Sequence, residues 1–264
     1  MRCAPFRLYF ALSIETSALQ CCYTVLPLDD FGEETRVETI RTQAITFDVG
    51  GTLIEPCPSV GEIYAQVANK LGYPDLDSDQ INRQFGRAWK EKGDFQYTEN
   101  AWSQLVVKSF DELIPATDAR RIFPEIYRRF EDPEVWRIHD DVLPALDELA
   151  GRGFRLAIIS NWDNRLRPLL TKLKLLSFFE TATISSDIGF TKPSSVLFEH
   201  TLKKLGLPSS SVVHVGDSPK EDIDGAEGAG VTGILIRRQA SNGSNSISDL
   251  RELGSILKED WADS

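Results

Sequence analysis

The second half of the sequence alternates short apolar runs with amphipathic segments, and this alternation constrains the fold more than any other feature. The apolar runs have the length and β-branched character of buried strands, and they lie at 154–159, 181–184, 212–215 and 231–236. Helical patterns precede, separate and follow them at 142–149, 165–175, 196–205, 219–229 and 250–257. Strands that alternate with helices pair in parallel. Together with an apolar run at 43–48, the sequence predicts an α/β fold with a Rossmann-like, doubly wound parallel sheet.

Between about residues 60 and 131, apolar residues recur at helical spacing and no strand-like run interrupts them. The recurring residues are Ile63, Val67 and Leu71, then Ile81, Phe85 and Trp89, then Leu105 and Phe110, and then Ile122, Ile126 and Phe130. We therefore predict an all-helical insert at 59–136 and a core formed by 43–58 and 137–264. Trp89, Trp102 and Arg87 could contact a substrate, but core packing or solvation explains them equally well.

The first 42 residues contain a short apolar stretch at 8–12 that follows Arg2 and Arg7, as in a secretory signal. Glu15 interrupts this pattern, and no small-residue cleavage site follows. The stretch is also far shorter than the ~18 apolar residues that a membrane helix needs. We predict a poorly ordered N-terminal extension at 1–42, with a targeting peptide as the less favoured alternative.

The composition argues against several classes of partner. The formal net charge of −11 argues against binding to nucleic acid or to an anionic membrane, because both attract clustered Lys and Arg. A phosphorylated small molecule stays compatible, since a metal ion can reverse the local charge. The four cysteines form no C-x-x-C motif, which indicates a reducing compartment. We expect a cytoplasmic protein, either a monomer or a homodimer.

Polar residues stand where the predicted strands end. Asp48, Ser160 and Asp217 each lie at or beside the carboxyl end of a strand, and Lys192 precedes a helix. Doubly wound sheets bind their ligands at that edge. A carboxylate such as Asp48 can attack phosphorus or carbon and form a covalent intermediate. Gly50 and Gly51 would let the backbone approach a ligand or a metal ion, although a tight turn alone would also explain them.

The stretch G-D-S-P-K-E-D contains both helix-capping residues and candidate metal ligands. Ser218 is a suitable N-cap, Pro219 suits the first helical position, and Glu221 would complete a capping box. Helix capping does not explain why Asp217 stands near Asp222. Mg²⁺ prefers one or two carboxylates plus water and substrate oxygens. The sequence therefore predicts a Mg²⁺ site that uses Asp48 and Asp217 with Asp222 nearby, while Asp224 is expected on the solvated face.

Two further stretches could face a phosphate. In S-N-W-D-N-R-L, Asp163 is the better cap for the next helix, which leaves Ser160 and the Asn161 backbone available for an anion. In F-T-K-P, Lys192 could clamp a phosphate and pair with Asp48, although most lysines are ordinary surface residues. His214 falls within a strand and is expected to be a packed core residue.

Four motifs in this order resemble those of the haloacid dehalogenase (HAD) superfamily. They are F-D-V-G-G-T-L, I-I-S-N-W-D, F-T-K-P and V-G-D-S-P-K-E-D. The resemblance covers about residues 43–236, and the helical insert resembles the C1 cap of subfamily IA. Each motif is short, but four of them at the ends of alternating strands form a specific pattern.

The resemblance implies a role for each matching position. Asp48 would be the nucleophile and a Mg²⁺ ligand, the carbonyl of Gly50 a second ligand, and Asp217 a third. Asp222 would be a ligand or would support one. Thr52 would support the loop by hydrogen bonding and would belong to the phosphate site. Ser160 and Asn161 would hold the phosphate. Lys192 would neutralise the phosphate and orient Asp48.

One position departs from the pattern of the phosphatases in this superfamily. They usually carry an aspartate two residues after the nucleophile, and this residue protonates the leaving group; here the position is Gly50. We expect a Mg²⁺-dependent phosphatase of small phosphorylated metabolites that works through an aspartyl-phosphate and whose turnover the missing acid would slow. The alternatives are a 2-haloacid dehalogenase-type hydrolase, which needs no metal, and a weakly catalytic phosphate-binding or regulatory protein.

Overall fold

The computed structural model describes residues 41–238 and 246–257, and its centre is a six-stranded sheet. The strands that form it are β1 (Ala44–Phe47), β4 (Arg155–Ser160), β5 (Thr181–Ile184), β6 (Val212–Gly216), β7 (Thr232–Ile236) and β8 (Ser246–Ile247). They stand in the order β5-β4-β1-β6-β7-β8, and all neighbouring pairs are parallel. The predicted Rossmann-like parallel sheet is confirmed.

Helices cover both faces of this sheet. The helices of the core are α5 (Val142–Gly151), α6 (Leu166–Lys172), α7 (Ser185–Ile188), α8 (Ser195–Leu205), α9 (Gly225–Gly228) and α10 (Leu253–Ile256). Alternate strand residues point to opposite faces. Ile45 and Phe47 accordingly join one buried cluster, with α5 and α6, while Ala44 joins another, with α8 and α9. Burial on both faces explains why the strands are almost wholly apolar.

Four helices lie between the first strand and the rest of the core: α1 (Val60–Lys70), α2 (Ser78–Lys90), α3 (Glu99–Ser109) and α4 (Ala116–Arg129). They share a hydrophobic cluster of their own, centred on Tyr64, Phe110 and Ile122. We call them the helical insert. Its identification as a C1 cap, and the boundaries 59–136, stay predictions.

A two-stranded antiparallel ribbon at the base of the helical insert was absent from the predictions. β2 (Ile54–Pro56) pairs with β3 (Trp136–Ile138), so that Ile54 faces Ile138. Three-residue strands are too short to show periodicity, and Pro56 weakens the strand signal. The ribbon brings the two chain connections of the insert together.

The predicted single helix at 219–229 is wrong in detail. Pro219–Asp224 forms a π-helix, and α9 follows it directly. The Ile223 N–H donates to the Ser218 carbonyl, five residues back, at 3.3 Å. Side chains in a π-helical turn point in different directions from those at the same positions of an α-helix. Here the turn accompanies the inward placement of Asp222, which is buried, while Asp224 is exposed as predicted.

The N-terminal extension predicted at 1–42 lies largely outside the described ranges. Across 41–238 and 246–257, every helix is too short or too polar to cross a membrane.

The central strand should be highly sensitive to loss of side-chain volume. Phe47 is fully buried and packs edge-to-face against Phe179, with ring centroids 6.2 Å apart. We expect Phe47→Ala to lower the free energy of unfolding by about 3–5 kcal/mol in urea titrations, because it leaves a cavity. Phe190→Ala is the control, because Phe190 is 53% exposed and should change stability by less than about 0.5 kcal/mol. Equal effects of the two substitutions would contradict this account.

Candidate active site

Asp48 lies directly after β1, in the middle of the carboxyl edge of the sheet. Its backbone N–H donates to the Val215 carbonyl of β6 at 2.9 Å, which fixes the chain at this point. Two side chains donate to the same carboxylate oxygen: Ser160 Oγ lies 3.1 Å from Asp48 Oδ1, and Lys192 Nζ lies 2.6 Å from it. Both donors come from separate segments, so the tertiary fold sets the orientation of the carboxylate.

Lys192 is the most constrained charge in the site. It is 3% exposed, and its ammonium donates to Asp48 Oδ1, to Asp222 Oδ1 at 2.5 Å and to the Ile159 carbonyl at 2.9 Å. An ammonium has three N–H donors, so these contacts satisfy it completely. Burial by itself would lower the pKa of Lys192, but the two carboxylates outweigh burial and raise it. Lys192 is therefore a permanent cation here.

Asp222 is held from several directions. Besides Lys192, Oδ1 lies 3.2 Å from His214 Nε2, and Oδ2 accepts a hydrogen bond from the Ser218 N–H at 2.9 Å. Burial disfavours the ionised carboxylate, yet Lys192 and the hydrogen bond from His214 hold the pKa of Asp222 well below its ordinary value. With both oxygens engaged, Asp222 is better suited to support the site than to bind a metal ion directly.

His214 connects this network to the centre of the sheet. Burial lowers the pKa of its imidazole, so we treat it as neutral at pH 7. Its Nδ1 lies 2.9 Å from Thr46 Oγ1. If the imidazole carries its proton on Nε2, then Nε2 donates to Asp222 and Nδ1 can accept a hydrogen bond from the Thr46 hydroxyl. The sequence indicated a packed core histidine, which is confirmed, but its contact with Asp222 was not predicted.

The role predicted for Glu221 is wrong. Ser218 does cap the turn, because its Oγ accepts from the Glu221 N–H at 3.1 Å. In a capping box the Glu221 carboxylate would accept a hydrogen bond from the Ser218 N–H. Here Asp222 Oδ2 accepts that hydrogen bond instead. The Glu221 side chain reaches Asn161 Nδ2 at 3.0 Å and Lys92 Nζ of the helical insert at 3.0 Å. Local helix chemistry explains the backbone contact, but only the tertiary structure shows where this carboxylate points.

Asn161 holds the loop that carries Lys192. Its Oδ1 accepts from the Lys192 N–H at 2.7 Å, and its Nδ2 donates to the Lys192 carbonyl at 3.1 Å. The amide side chain is therefore engaged with protein. Asp163, expected to cap the next helix, accepts from the Arg165 N–H at 3.1 Å and also forms a buried ion pair with the Arg165 guanidinium.

Thr52 does not support its loop through a side-chain hydrogen bond, and that prediction is wrong. Its Oγ1 is buried and has no partner within the described ranges. The turn is held by backbone instead, with the Gly51 N–H donating to the Ile54 carbonyl at 2.8 Å. The Thr52 carbonyl accepts from the Arg238 guanidinium.

The donor set fits a hard divalent cation. Oxygen atoms of Asp48, Asp217 and Asp222 lie within 4.8 Å of one another. Gly51, at φ +82°, lets this group form, because a Cβ atom there would lie 2.5 Å from Asp217 Oδ2. Three carboxylates face a single buried ammonium, so a divalent ion would balance the charge, and all-oxygen donors are what Mg²⁺ prefers.

The pKa values of two carboxyl groups reflect this excess of negative charge. Burial, opposed by Lys192 and reinforced by Asp222, raises the pKa of Asp48 to about 6. Desolvation and the charge of Asp48 raise the pKa of Asp217 to about 7, although Asp217 is exposed to solvent overall. A bound cation would reverse both shifts, because it favours the ionised carboxylates.

A cavity of about 400 Å³ opens above this group of acids. Its floor includes Asp48, Gly50 and Asp217, and its opposite side is lined by residues of the helical insert, among them Trp89 and Trp102. Arg87, the third residue considered for substrate contacts, lines a separate surface groove.

Similarity to known proteins agrees with this geometry. Residues 42–230 match the family description "haloacid dehalogenase-like hydrolase", over more than half of the chain. The chain belongs to this family. It is 30% identical over 206 residues to haloacid dehalogenase-like hydrolase domain-containing protein 3 of Danio rerio, and the match covers 74% of this chain and 85% of that relative. The resemblance carried by the four motifs is confirmed.

Solved structures of HAD proteins share the fold. A HAD phosphatase from Thermococcus onnurineus is 26% identical, with a TM-score of 0.61 over 82% of this chain and 98% of that one. A HAD hydrolase from Bacillus subtilis, solved bound to magnesium, is 20% identical, with a TM-score of 0.64 over 83% of this chain and 99% of that one. At that identity the second match supports the fold alone.

The buried ammonium should dominate the stability of the site. In the absence of Mg²⁺, we expect Lys192→Met to lower the free energy of unfolding by about 3–5 kcal/mol at pH 7, because it leaves Asp48 and Asp222 buried without their cation. Lys204→Met, at an exposed position of α8, is the control and should change it by less than about 0.5 kcal/mol. A loss below about 1 kcal/mol in chemical denaturation of the Lys192 variant would contradict the central role of this ion pair.

Proposed function

We propose that this HAD-like hydrolase is a Mg²⁺-dependent phosphatase of small phosphorylated molecules that forms an aspartyl-phosphate on Asp48. The observation that carries the proposal is the double constraint on Asp48, whose Oδ1 accepts from both Ser160 and Lys192 at the floor of a cavity. A carboxylate fixed in this way is pre-oriented for in-line attack on a bound phosphorus atom.

Asp48 and Asp217, with the Gly50 carbonyl, are the groups that would hold Mg²⁺. When bound, the ion polarises phosphoryl oxygens and offsets their negative charge. Asp222 would support this site without binding the ion directly, because its oxygens are already engaged by Lys192, His214 and the Ser218 N–H. Retention of this oxygen-rich set favours phosphate chemistry over dehalogenation, which needs no metal.

The reaction would proceed in two displacements. An oxygen of Asp48 forms a bond to phosphorus while the bond from phosphorus to the ester oxygen breaks. The alkoxide leaves with the bonding electron pair and becomes the alcohol when it takes up a proton. Water then attacks the phosphorus of the aspartyl-phosphate, which releases inorganic phosphate and restores the carboxylate of Asp48. Ser160 and Lys192 would keep that carboxylate in place through both steps. The N–H groups of Lys192 are already engaged, so its charge would act on the phosphoryl oxygens only through space.

The chain lacks an acid at the position that usually protonates the leaving group, and its surroundings fill the space. A Cβ atom at Gly50 would lie 3.2 Å from Cζ3 of the Trp162 indole, so a longer side chain would require the ring to move. With no acid at this position, we expect the departing alkoxide to take its proton from water. General acid catalysis commonly contributes about 10²–10⁴-fold, and turnover of esters with poor leaving groups should be slow by a comparable factor.

The direct test is hydrolysis of p-nitrophenyl phosphate, whose leaving group needs little protonation. We expect activity that requires Mg²⁺ and that falls about a thousandfold or more in Asp48→Asn, because the amide cannot act as nucleophile. Asp224→Asn is the matched control, since Asp224 is an exposed acid on the adjacent turn, and it should leave the rate unchanged. Activity that survives Asp48→Asn would overturn the proposal. Metal-independent chloride release from a 2-haloacid would instead favour a dehalogenase.

The missing acid also predicts the pattern of rates across a substrate series. We expect kcat for substituted phenyl phosphates to fall steeply as the pKa of the phenol rises, because no side chain protonates the departing oxygen. Steady-state kinetics on four or five such esters would measure the slope. A flat dependence would mean that another group acts as the acid or that release of phosphate limits turnover.

The predictions of a cytoplasmic location, of a monomer or homodimer, and of no nucleic-acid or membrane partner stay predictions.

A further inference from the structure

The side of the cavity that faces Asp48 is built largely from aromatic rings of the helical insert. Five of these residues form what we call the aromatic wall: Tyr64, Phe85, Trp89, Tyr97 and Trp102. Ligand cavities that select apolar groups are lined in this way, with a few polar groups at one end. Here the polar end is the carboxyl edge of the sheet.

The rings of the aromatic wall hold one another in place. Trp89 stacks between Phe85 and Trp102, with ring centroids 6.0 and 5.9 Å away. Tyr97 meets the edge of Trp89 at 6.4 Å, and Phe95 packs against Trp102 at 5.0 Å. Phe85, Trp89 and Trp102 are only partly buried, so the part of each ring that is still exposed can lose solvent on binding. A flat apolar ligand can therefore bury surface without rearranging the wall.

Both cations that line the cavity are already paired. Lys92 Nζ lies 3.0 Å from Glu221 Oε1 and 3.6 Å from the centre of a Trp89 ring. The Arg165 guanidinium lies 2.6 Å from Asp163 Oδ2 and 3.4 Å from the centre of the Tyr127 ring. A second negative group on a substrate would have to compete with Glu221 or Asp163 for these cations. The lining thus favours an uncharged group beside the phosphate.

The volume of the cavity fits a phosphate with an aromatic group attached. A dry cavity of about 150 Å³ is enough for benzene. The cavity here holds about 400 Å³, which leaves room for a phosphate at Asp48 and one or two rings against the aromatic wall.

We propose that the substrate is a phosphate monoester of an uncharged aromatic alcohol, with its ring stacked on the aromatic wall and its phosphate at Asp48. This inference rests on the proposed phosphatase function for its chemistry, but the preference for an aromatic group can be tested by binding alone.

The kinetic arm compares three alkyl phosphates whose leaving groups are all alkoxides: 2-phenylethyl phosphate, glycerol 3-phosphate and the phosphate ester of 3-hydroxypropionate. We expect kcat/KM for 2-phenylethyl phosphate to exceed that for glycerol 3-phosphate about tenfold or more, because burying a phenyl ring is strongly favourable. The ester with the extra carboxylate should be the slowest of the three. An equal or reversed order would overturn the inference.

The variant arm tests the aromatic wall itself. Trp89→Leu should remove most of the preference for 2-phenylethyl phosphate while changing kcat/KM for glycerol 3-phosphate little. Phe85→Leu should do the same to a smaller degree and serves if the Trp89 variant does not fold. Tyr73→Leu is the matched control, because Tyr73 lies in the helical insert, outside the cavity, and bonds to Arg121. A uniform loss for all three esters would show a structural role only.

The binding arm separates this inference from the proposed function. Calorimetry in Mg²⁺ would compare 2-phenylethylphosphonate with methylphosphonate, neither of which can be hydrolysed at the phosphorus–carbon bond. We expect the aromatic phosphonate to bind about tenfold tighter, and Trp89→Leu to abolish the difference. If that preference is seen without turnover of any ester, the phosphatase proposal fails and the aromatic specificity stands. If turnover is seen without the preference, the specificity fails and the phosphatase proposal stands.

Discussion

A buried lysine shared by two carboxylates is the interaction on which the site depends. An isolated ammonium in this position would lose its proton or remain in water, because burial disfavours charge. Lys192 stays charged because Asp48, Asp222 and the Ile159 carbonyl each accept a hydrogen bond from its ammonium group. These groups come from different segments of the core, so forming the ion pairs and folding the core are one event. The same contacts orient Asp48.

The helical insert contributes a different kind of surface from the core. The core presents oxygen atoms and a fixed cation at the edge of the sheet, whereas the insert presents aromatic rings. Polar contacts join the two beside the cavity. Lys92 pairs with Glu221, which also accepts from Asn161, and Arg165 donates to the Tyr127 carbonyl. In our proposal the core therefore supplies the chemistry and the insert selects the substrate.

The sequence predicted the main polar residues of the site because strand ends are recognisable from local patterns. Asp48, Ser160 and Asp217 follow apolar runs, and parallel strands bring their carboxyl ends to one edge. Glu221 was misjudged because its spacing from Ser218 also fits a helix cap, and local spacing cannot show that the side chain turns toward Lys92. The contact between His214 and Asp222 was missed because a strand histidine is ordinarily a packing residue.

By itself the sequence determined the alternation of strands and helices, the position of the helical insert and the set of residues at the edge of the sheet. Hydrophobic periodicity fixes these, because it depends only on neighbours along the chain. Only the tertiary structure decided that Lys192 bridges two acids, that Trp162 covers Gly50 and that aromatic rings line the cavity above Asp48. Those contacts join residues far apart in the chain, and their geometry comes from how the helices and strands pack rather than from any local pattern.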